Sequence, residues 1–360
     1  ATARDAYPAL KKYVDYLESH TENDILRYFD PTNPANPTAF NVWQFLGDWT
    51  PPHASENQHD FQFESIDQRE FFNNCYRVLL WQDLAYFAGL IGDTAEQIRC
   101  ENRLAVLRPL IHNFYFDATT NNYRANRQAY LVIALRARIM PEALRPVIFK
   151  HLEDNIVVEK NGHLDCGLQG SFMLLDLLAQ ENRSDLAALI IGQETYPGWG
   201  FLVKKRKVTT WPETWSGWGS QVIQVVGTPG AWFFEVLGGI RPDPTNPGFK
   251  HIILKPAVVG GVSWVECHHD SPYGRIVSNW LRADQQLTMN VTIPANSTAE
   301  IHVPAGAVED VTESGQAASG APGVQFLRME NRHAVFAVGA GSYVFTGTLP
   351  VTLGPVVDVP

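Results

Sequence analysis

The chain has 360 residues, 45% of them hydrophobic and 18% charged, with a formal net charge of −10 from 28 Lys and Arg against 38 Asp and Glu. That length exceeds what one small core supports, so two domains are expected, and the composition is that of a globular protein. The negative balance offers nothing to neutralise a run of phosphates, which argues against nucleic acid as a partner; no apolar run is long enough to cross a bilayer, so no membrane partner is expected either.

Cys75, Cys100, Cys166 and Cys267 lack metal-ligand spacing, and neither a metal nor another cofactor is expected. Cys75 and Cys100 would come within reach if their helices pair antiparallel, but a buried thiol is the commoner state. No signal peptide is visible, and the abrupt opening at Ala1 reads as a processed or truncated chain.

In chain order, apolar spacing predicts a helix over 8–19, with Pro8 suited to its first turn. Asp30-Pro-Thr-Asn-Pro-Ala-Asn-Pro37 breaks regular structure. Phe45-Leu-Gly-Asp-Trp-Thr-Pro-Pro52 reads as a loop in which Asp48, beside Trp49, either holds sugar hydroxyls or caps backbone. A long helix runs over 67–91, and Gly92-Asp93-Thr94 caps a second that extends to about Phe116. Further helices are expected over 126–138, 141–153, 168–180, 184–192 and 216–237. Helix pairs with no strand signal between them predict an α-helical array, bundle or toroid over 1–240. After Gly238-Gly239 and the proline-rich 240–248, alternating runs at 251–256, 261–268, 274–280, 287–294, 299–304, 334–338 and 341–347 predict an antiparallel β-sandwich over 241–360. His268-His269-Asp270 has a metal-like look, but neighbouring residues on a strand face opposite ways.

The chemistry-bearing stretch is 196–215, which gathers Tyr196, Pro197, Trp199, Trp211, Pro212 and Trp215 around one carboxylate, Glu213. Flat apolar faces beside an isolated acid suit a sugar: rings to stack on and a group to accept a proton. A rigid, aromatic-rich loop whose glutamate points into solvent is the bland alternative. In His163-Leu-Asp-Cys-Gly-Leu-Gln-Gly170 the two glycines allow a close backbone approach to a ligand or simply set a helix entry, and His163 and Asp165 are candidate contacts. Lys204-Lys205-Arg206-Lys207 reads as a solvated turn.

Phe45-Leu-Gly-Asp-Trp49, His163–Gly170, Glu194-Thr-Tyr-Pro-Gly-Trp-Gly200, Thr209-Thr-Trp-Pro-Glu-Thr-Trp215, Trp232–Pro244, Pro247-Gly-Phe-Lys-His251 and Ser271-Pro-Tyr-Gly274 stand in one order. In that order the chain resembles the C-terminal half of a family-78 α-L-rhamnosidase, over roughly residues 1 to 305. The resemblance implies an (α/α)6 toroid, incomplete at its N-terminal side, followed by a β-sandwich. It implies an inverting glycoside hydrolase that releases terminal α-L-rhamnose in an extracellular or periplasmic setting. Its general base is the glutamate of Thr-Thr-x-Trp-Glu-x-Trp, here Glu213, with Pro212 where the family has a tryptophan. Trp199, Trp211 and Trp215 would be stacking platforms, and Asp48, Trp49, His163 and Asp165 sugar contacts. The family's sugar-binding histidine is replaced within Gln221-Val-Ile-Gln-Val-Val226, where Gln221 or Gln224 would substitute. The family's general acid lies upstream of these landmarks, so the acid is expected outside this chain, and a preceding segment or another chain would complete the barrel.

Two other readings stand beside it. A lyase cutting a rhamnose–uronate linkage would use Lys204, Lys205 or Arg206 to neutralise the uronate. A non-catalytic carbohydrate-binding protein would account for the missing acid and histidine.

Overall fold

The computed structural model describes residues 2–28, 45–58 and 64–349. The Asp30–Pro37 break lies outside them. Contacts group the chain into two compact units: Ala1–Leu177 with Gln193–Val226, and Leu178–Gly192 with Gly227–Pro360.

The first unit is built from helices α1 (Thr2–Ser19), α2 (Ile66–Ile91), α3 (Thr94–Tyr115), α4 (Gln128–Ala137), α5 (Arg145–Asp154), most of α6 (Leu168–Gln180) and α8 (Trp199–Lys204); α7 (Ser184–Ile191) groups with the second unit. The ends of α2 and α3 follow from local chemistry. Ser65 and Gln68 cap the start of α2 reciprocally, at 3.3 and 3.1 Å. Gly92, at φ +81, ends the helix in the left-handed region that costs glycine nothing. Asp93 then accepts from the Glu96 N–H at 3.1 Å and opens α3. Helix α1 begins earlier than the spacing predicts, with Pro8 inside it on the exposed side. Two hairpins missed by periodicity, β1 (Thr21–Glu22) with β2 (Ile25–Leu26) and β3 (Phe116–Asp117) with β4 (Asn122–Tyr123), join helices. Strands of two residues are too short to show an alternation.

The largest departure is 216–237, which is not a helix. Gly217 and Gly219 take φ +89 and +91, and the chain turns there before a 3-10 turn at Gln224–Gly227. Only Thr228–Trp232 (α9) is α-helical, followed by a π turn at Phe233–Leu237. Apolar spacing alone cannot see that the glycines break the segment.

In the second unit, two sheets carry the core. One runs β13 (Gln316–Ala317), β12 (Val311–Glu313), β16 (Gly341–Thr348), β10 (Gln286–Ile293), β9 (Gly274–Ala283), β7 (Trp264–Val265), with β8 (His268–Ser271) also on β9. The other runs β14 (Val324–Glu330), β15 (His333–Val338), β11 (Thr298–Pro304), β6 (His251–Leu254), β5 (Ile240–Pro242). Strict alternation on β10 turns Leu287, Met289, Val291 and Ile293 into a core with Trp280, Phe336 and Phe345. The sandwich is not wholly antiparallel: β6 pairs with β11 in parallel register, His251 opposite Thr298. Their separation in sequence leaves room for the crossover that parallel pairing needs. Strands β12 to β14 carry no clean alternation and were not foreseen. Where the texture changes at Gly238-Gly239, a Cβ on Gly239 would sit 2.2 Å from the Pro256 nitrogen, so only glycine fits at its φ of +70.

Candidate active site

Glu213 sits on a tight loop whose shape is fixed by Thr214. The Thr214 hydroxyl receives the Trp218 N–H at 3.0 Å and donates to the Trp218 carbonyl at 2.9 Å. The Glu213 N–H donates to the Ser220 carbonyl at 2.8 Å, and the Ser220 N–H returns a bond to Glu213 Oε2 at 3.1 Å. Gly219 must be glycine, since a Cβ there would lie 2.9 Å from Glu213 Cβ and 3.1 Å from Oε2. From across the unit, the Trp49 indole donates to Glu213 Oε1 at 2.8 Å and the Thr50 hydroxyl donates to the Glu213 carbonyl at 3.0 Å. Burial pushes the Glu213 carboxyl up, but the bonds from Trp49 and Ser220 outweigh it and hold the group below its usual range. At neutral pH it is an ionised, half-buried carboxylate held in one orientation.

The indole bond predicts a pH effect. Trp49→Phe removes one donor, so the Glu213 carboxyl rises, and any acid limb of activity set by it moves up by roughly half a unit to one unit. A pH–rate profile of the variant checks this; an unchanged limb would separate Glu213 from the titration.

Trp49 is held to Glu213 because the residue before it anchors a helix. Asp48, 1% exposed, accepts the N–H groups of Gly167 at 2.5 Å and Gly170 at 2.8 Å, at the entrance of α6. The assignment of Asp48 to sugar hydroxyls is therefore corrected: both oxygens are sealed against backbone. Burial pushes it up to about 6 despite those bonds and the Arg127 guanidinium. Gly167 and Gly170 serve this packing; a Cβ on Gly167 would lie 2.1 Å from the Trp49 carbonyl oxygen.

Two of the proposed platforms are core. Trp199 is 3% and Trp215 2% exposed, their rings edge-to-face at 5.0 Å, with the indoles donating to the carbonyls of Val226 at 2.6 Å and Cys166 at 2.8 Å. Rings with no open face cannot stack on a sugar. Trp211 and Trp49 are half-buried and Trp218, which is not among the sequence candidates, is exposed. Gln224 is exposed, and Gln221 donates to the Gly219 carbonyl at 2.8 Å.

His163 and Asp165 line a cleft of about 470 Å³ with Arg127, Lys160, His53 and Tyr196. Glu213 is not in that lining, but one loop serves both places: Trp49 and Thr50 bond Glu213, and Pro52 to Ala54 wall the cleft. His163 Nδ1 faces the Lys160 carbonyl at 2.9 Å and Nε2 the Thr195 hydroxyl at 2.7 Å, which fixes the ring in place. Asp165 is buried between Arg127, at 2.6 and 3.1 Å, and Lys160, at 3.1 Å. It sets cations at the cleft wall and does not itself reach out.

Arg127 also donates to buried Glu64 at 2.8 Å. Burial first, and the neighbouring Asp48 second, push Glu64 up to about 8 in spite of Arg127. Neither residue stood out in the sequence. The sign for stability is definite. Between the ordinary 4.5 and about 8 the folded state holds a proton that the unfolded state has lost, so this group makes stability fall as pH rises. Glu64→Gln is expected to flatten that fall, by on the order of 2 kcal/mol between pH 5 and 8, read from denaturant unfolding across pH.

The basic run is spent locally: Lys204 pairs with Glu194, Lys205 with Glu56 at 2.8 Å, and Arg206 donates to the Glu56 carbonyl at 2.6 Å. In the other unit, His269 packs on Phe249 at 4.5 Å and Asp270 on Arg275 at 2.7 Å. All four cysteines are buried and free, no group of metal-ligating side chains gathers among the described residues, and no helix there is long and apolar enough to cross a membrane.

Helix hairpins presenting a loop-borne carboxylate, followed in the chain by a β-sandwich, define a helical-hairpin protein with an acid–aromatic site. The chain belongs to the bacterial α-L-rhamnosidase family: residues 1–237 match its 6-hairpin glycosidase domain and residues 239–318 its C-terminal domain. An α-L-rhamnosidase of Streptomyces avermitilis is 25% identical over 353 residues, covering 95% of this chain and 30% of the relative. One from Alteromonas sp. is 26% identical over 318 residues, covering 84% and 32%. The α-L-rhamnosidase structure from Dictyoglumus thermophilum superposes with a TM-score of 0.78 at 23% identity, over 96% of this chain and 37% of that one. That of S. avermitilis α-L-rhamnosidase complexed with L-rhamnose gives 0.76 at 22%, over 96% and 30%. The chain thus spans about a third of the length of these relatives.

Proposed function

We propose that this chain supplies the general base of a glycoside hydrolase that releases terminal α-L-rhamnose with inversion. The observation that carries the reading is the Glu213 carboxylate, kept ionised and aimed by the Trp49 indole and the Ser220 N–H. Glu213 would take a proton from water as its oxygen attacks the anomeric carbon, while a carboxylic acid protonates the leaving oxygen on the opposite face. Trp218 and Trp211 would offer the ring faces, and Gln224 a hydroxyl partner. Glu64, pushed up to about 8 by burial, is walled in behind Arg127, so the proton donor is assigned to a group outside these residues, on a preceding segment or another chain that completes the helical domain. An extracellular or periplasmic setting goes with such a substrate.

The test is an aryl α-L-rhamnoside followed by proton NMR. Inversion requires β-L-rhamnose as the first anomer. Release of the α-anomer first would replace inversion by retention, and absence of rhamnose release by a protein carrying this chain would end the reading.

A further inference from the structure

The cleft of about 470 Å³ in the first unit takes no part in the step proposed above, and its size falls in the range of about 300–1,000 Å³ typical of small-molecule sites. Two chain segments tie it to the Glu213 loop. Thr50, whose hydroxyl bonds the Glu213 carbonyl at 3.0 Å, is followed three residues later by His53 of the cleft wall, at most about 11 Å of extended chain away. The Cys166 carbonyl receives the indole of Trp215, the second residue after Glu213, at 2.8 Å, and the neighbouring Asp165 belongs to the wall. A ligand with its reacting bond at Glu213 thus has the cleft within reach of its next unit.

The wall is balanced in charge and mixed in character. Its two fixed cations, Arg127 and Lys160, stand against two carboxylates, Asp165 and Glu159. Arg127 is engaged by Asp165 and Glu64, at 2.6 and 2.8 Å. The Lys160 ammonium meets Asp165 at 3.1 Å and no other carboxylate among the described residues; it carries three donors, so it has N–H groups to offer a ligand. Exposed Glu159 accepts from Asn126 at 3.2 Å on one oxygen and from Asn155 at 2.8 Å on the other, which leaves each oxygen a second lone pair. Lys160 is fixed through its backbone: its N–H donates to the Asn155 carbonyl at 2.9 Å, and its carbonyl accepts the His163 N–H at 2.9 Å. Binding therefore need not order this part of the wall.

A donor and an acceptor side by side, with cations and carboxylates in balance, suit hydroxyl groups, which both give and take a hydrogen bond. Pro52, Leu164 and Pro197 add apolar wall for the C–H face of a ring. We infer that this cleft binds a neutral sugar, the unit to which a terminal rhamnose is linked, with Lys160 and Glu159 on its hydroxyls. The inference rests on the Glu213 reading for the linkage and deepens it, naming the substrates as rhamnosyl oligosaccharides whose second residue is uncharged. Binding in the cleft is measured apart from turnover, so the two can fail separately.

The experiment introduces Glu213→Gln into the protein that carries this chain, so that ligands bind without being consumed. α-L-Rhamnosyl-D-glucose, α-L-rhamnosyl-D-glucuronate and methyl α-L-rhamnoside are then titrated by calorimetry. The glucose disaccharide is expected to bind about ten-fold tighter than the methyl rhamnoside, the contribution of one hydrogen bond to a charged group. The glucuronate disaccharide is expected to bind no tighter than the glucose one. Adding Lys160→Met should bring the ratio of disaccharide to methyl rhamnoside affinity from about ten to about one, with circular dichroism showing the protein folded. Ala54→Trp, which fills the cleft from an exposed position, should do the same and decides the matter if Lys160→Met does not fold. A ratio near one before either change, a ratio untouched in the folded variants, or glucuronate bound tighter than glucose would each overturn the assignment. Wild-type protein that releases rhamnose from neither substrate, with the ratio still at about ten, would end the Glu213 reading and keep the cleft as a sugar site.

Discussion

Glu213→Gln is expected to lower rhamnose release about 10²- to 10⁴-fold, the contribution of a positioned general base. The substitution keeps size and shape, and its carbonyl oxygen can still receive the Trp49 indole at the position now 2.8 Å away. What it loses is the lone pair that takes the proton from water. The amide nitrogen then faces the Ser220 N–H, a donor against a donor, on a loop held independently by Thr214. Stability should therefore change by less than about 1 kcal/mol, as for a half-exposed polar site. Sugar affinity, read by titration with rhamnose, should hold within a few-fold while turnover collapses. Turnover retained in full would remove Glu213 from the chemistry. Turnover and binding lost in proportion would make it a binding residue instead.

How much of this was legible in the sequence depends on what each residue signals locally. The cap at Gly92–Asp93 and the alternation of β10 write their structure into a few neighbouring positions, and the structure has both; the Ser65 cap, equally local, is not among the sequence expectations. Glu213 was marked by its aromatic company. Yet that same company was misread ring by ring, because a buried tryptophan and an open one look alike in a string. What separates Trp215 from Trp218 is a carbonyl, that of Cys166, 49 residues away in sequence. Asp48 likewise stood beside Trp49 for a reason other than sugar: it anchors α6, and so delivers the indole that holds Glu213. Arg127, Glu64 and Asp165 meet only through the fold, from segments 38 and 63 residues apart, so no spacing could announce them. The segment 216–237 shows the reverse case: its apolar spacing is that of a helix, but Gly217 and Gly219 take positive φ and set the loop around the site instead.

The second large effect concerns the frame that carries the site. Arg77, 1% exposed on α2, grips Glu18 of α1 through Nε at 2.6 Å and through a second guanidinium nitrogen at 2.7 Å, and donates to the Asp24 carbonyl at 2.7 Å. Glu18 also receives the Trp81 indole at 2.9 Å and Arg103 from α3. Three helices and the β1–β2 turn thus close on one carboxylate. Removing one member of a buried, hydrogen-bonded ion pair costs about 3–5 kcal/mol, because the partner's charge stays behind uncompensated. Arg103 still compensates Glu18, so Arg77→Ala is placed at the low end, about 3 kcal/mol, or roughly 10 °C in melting temperature for a unit of this size. The pH dependence gives the cause away. Burial raises the Glu18 carboxyl, but the bonds from Arg77, Trp81 and Arg103 win and hold it below its ordinary 4.5. A lowered acid contributes stability above that ordinary value and loses it as pH falls through the folded one. The gap between wild type and Arg77→Ala should accordingly be full at pH 7 and shrink in acid, measured by thermal unfolding at both. A gap that is constant with pH would trace the loss to the vacated volume, and a gap under 1 kcal/mol would mean that Arg103 alone neutralises Glu18.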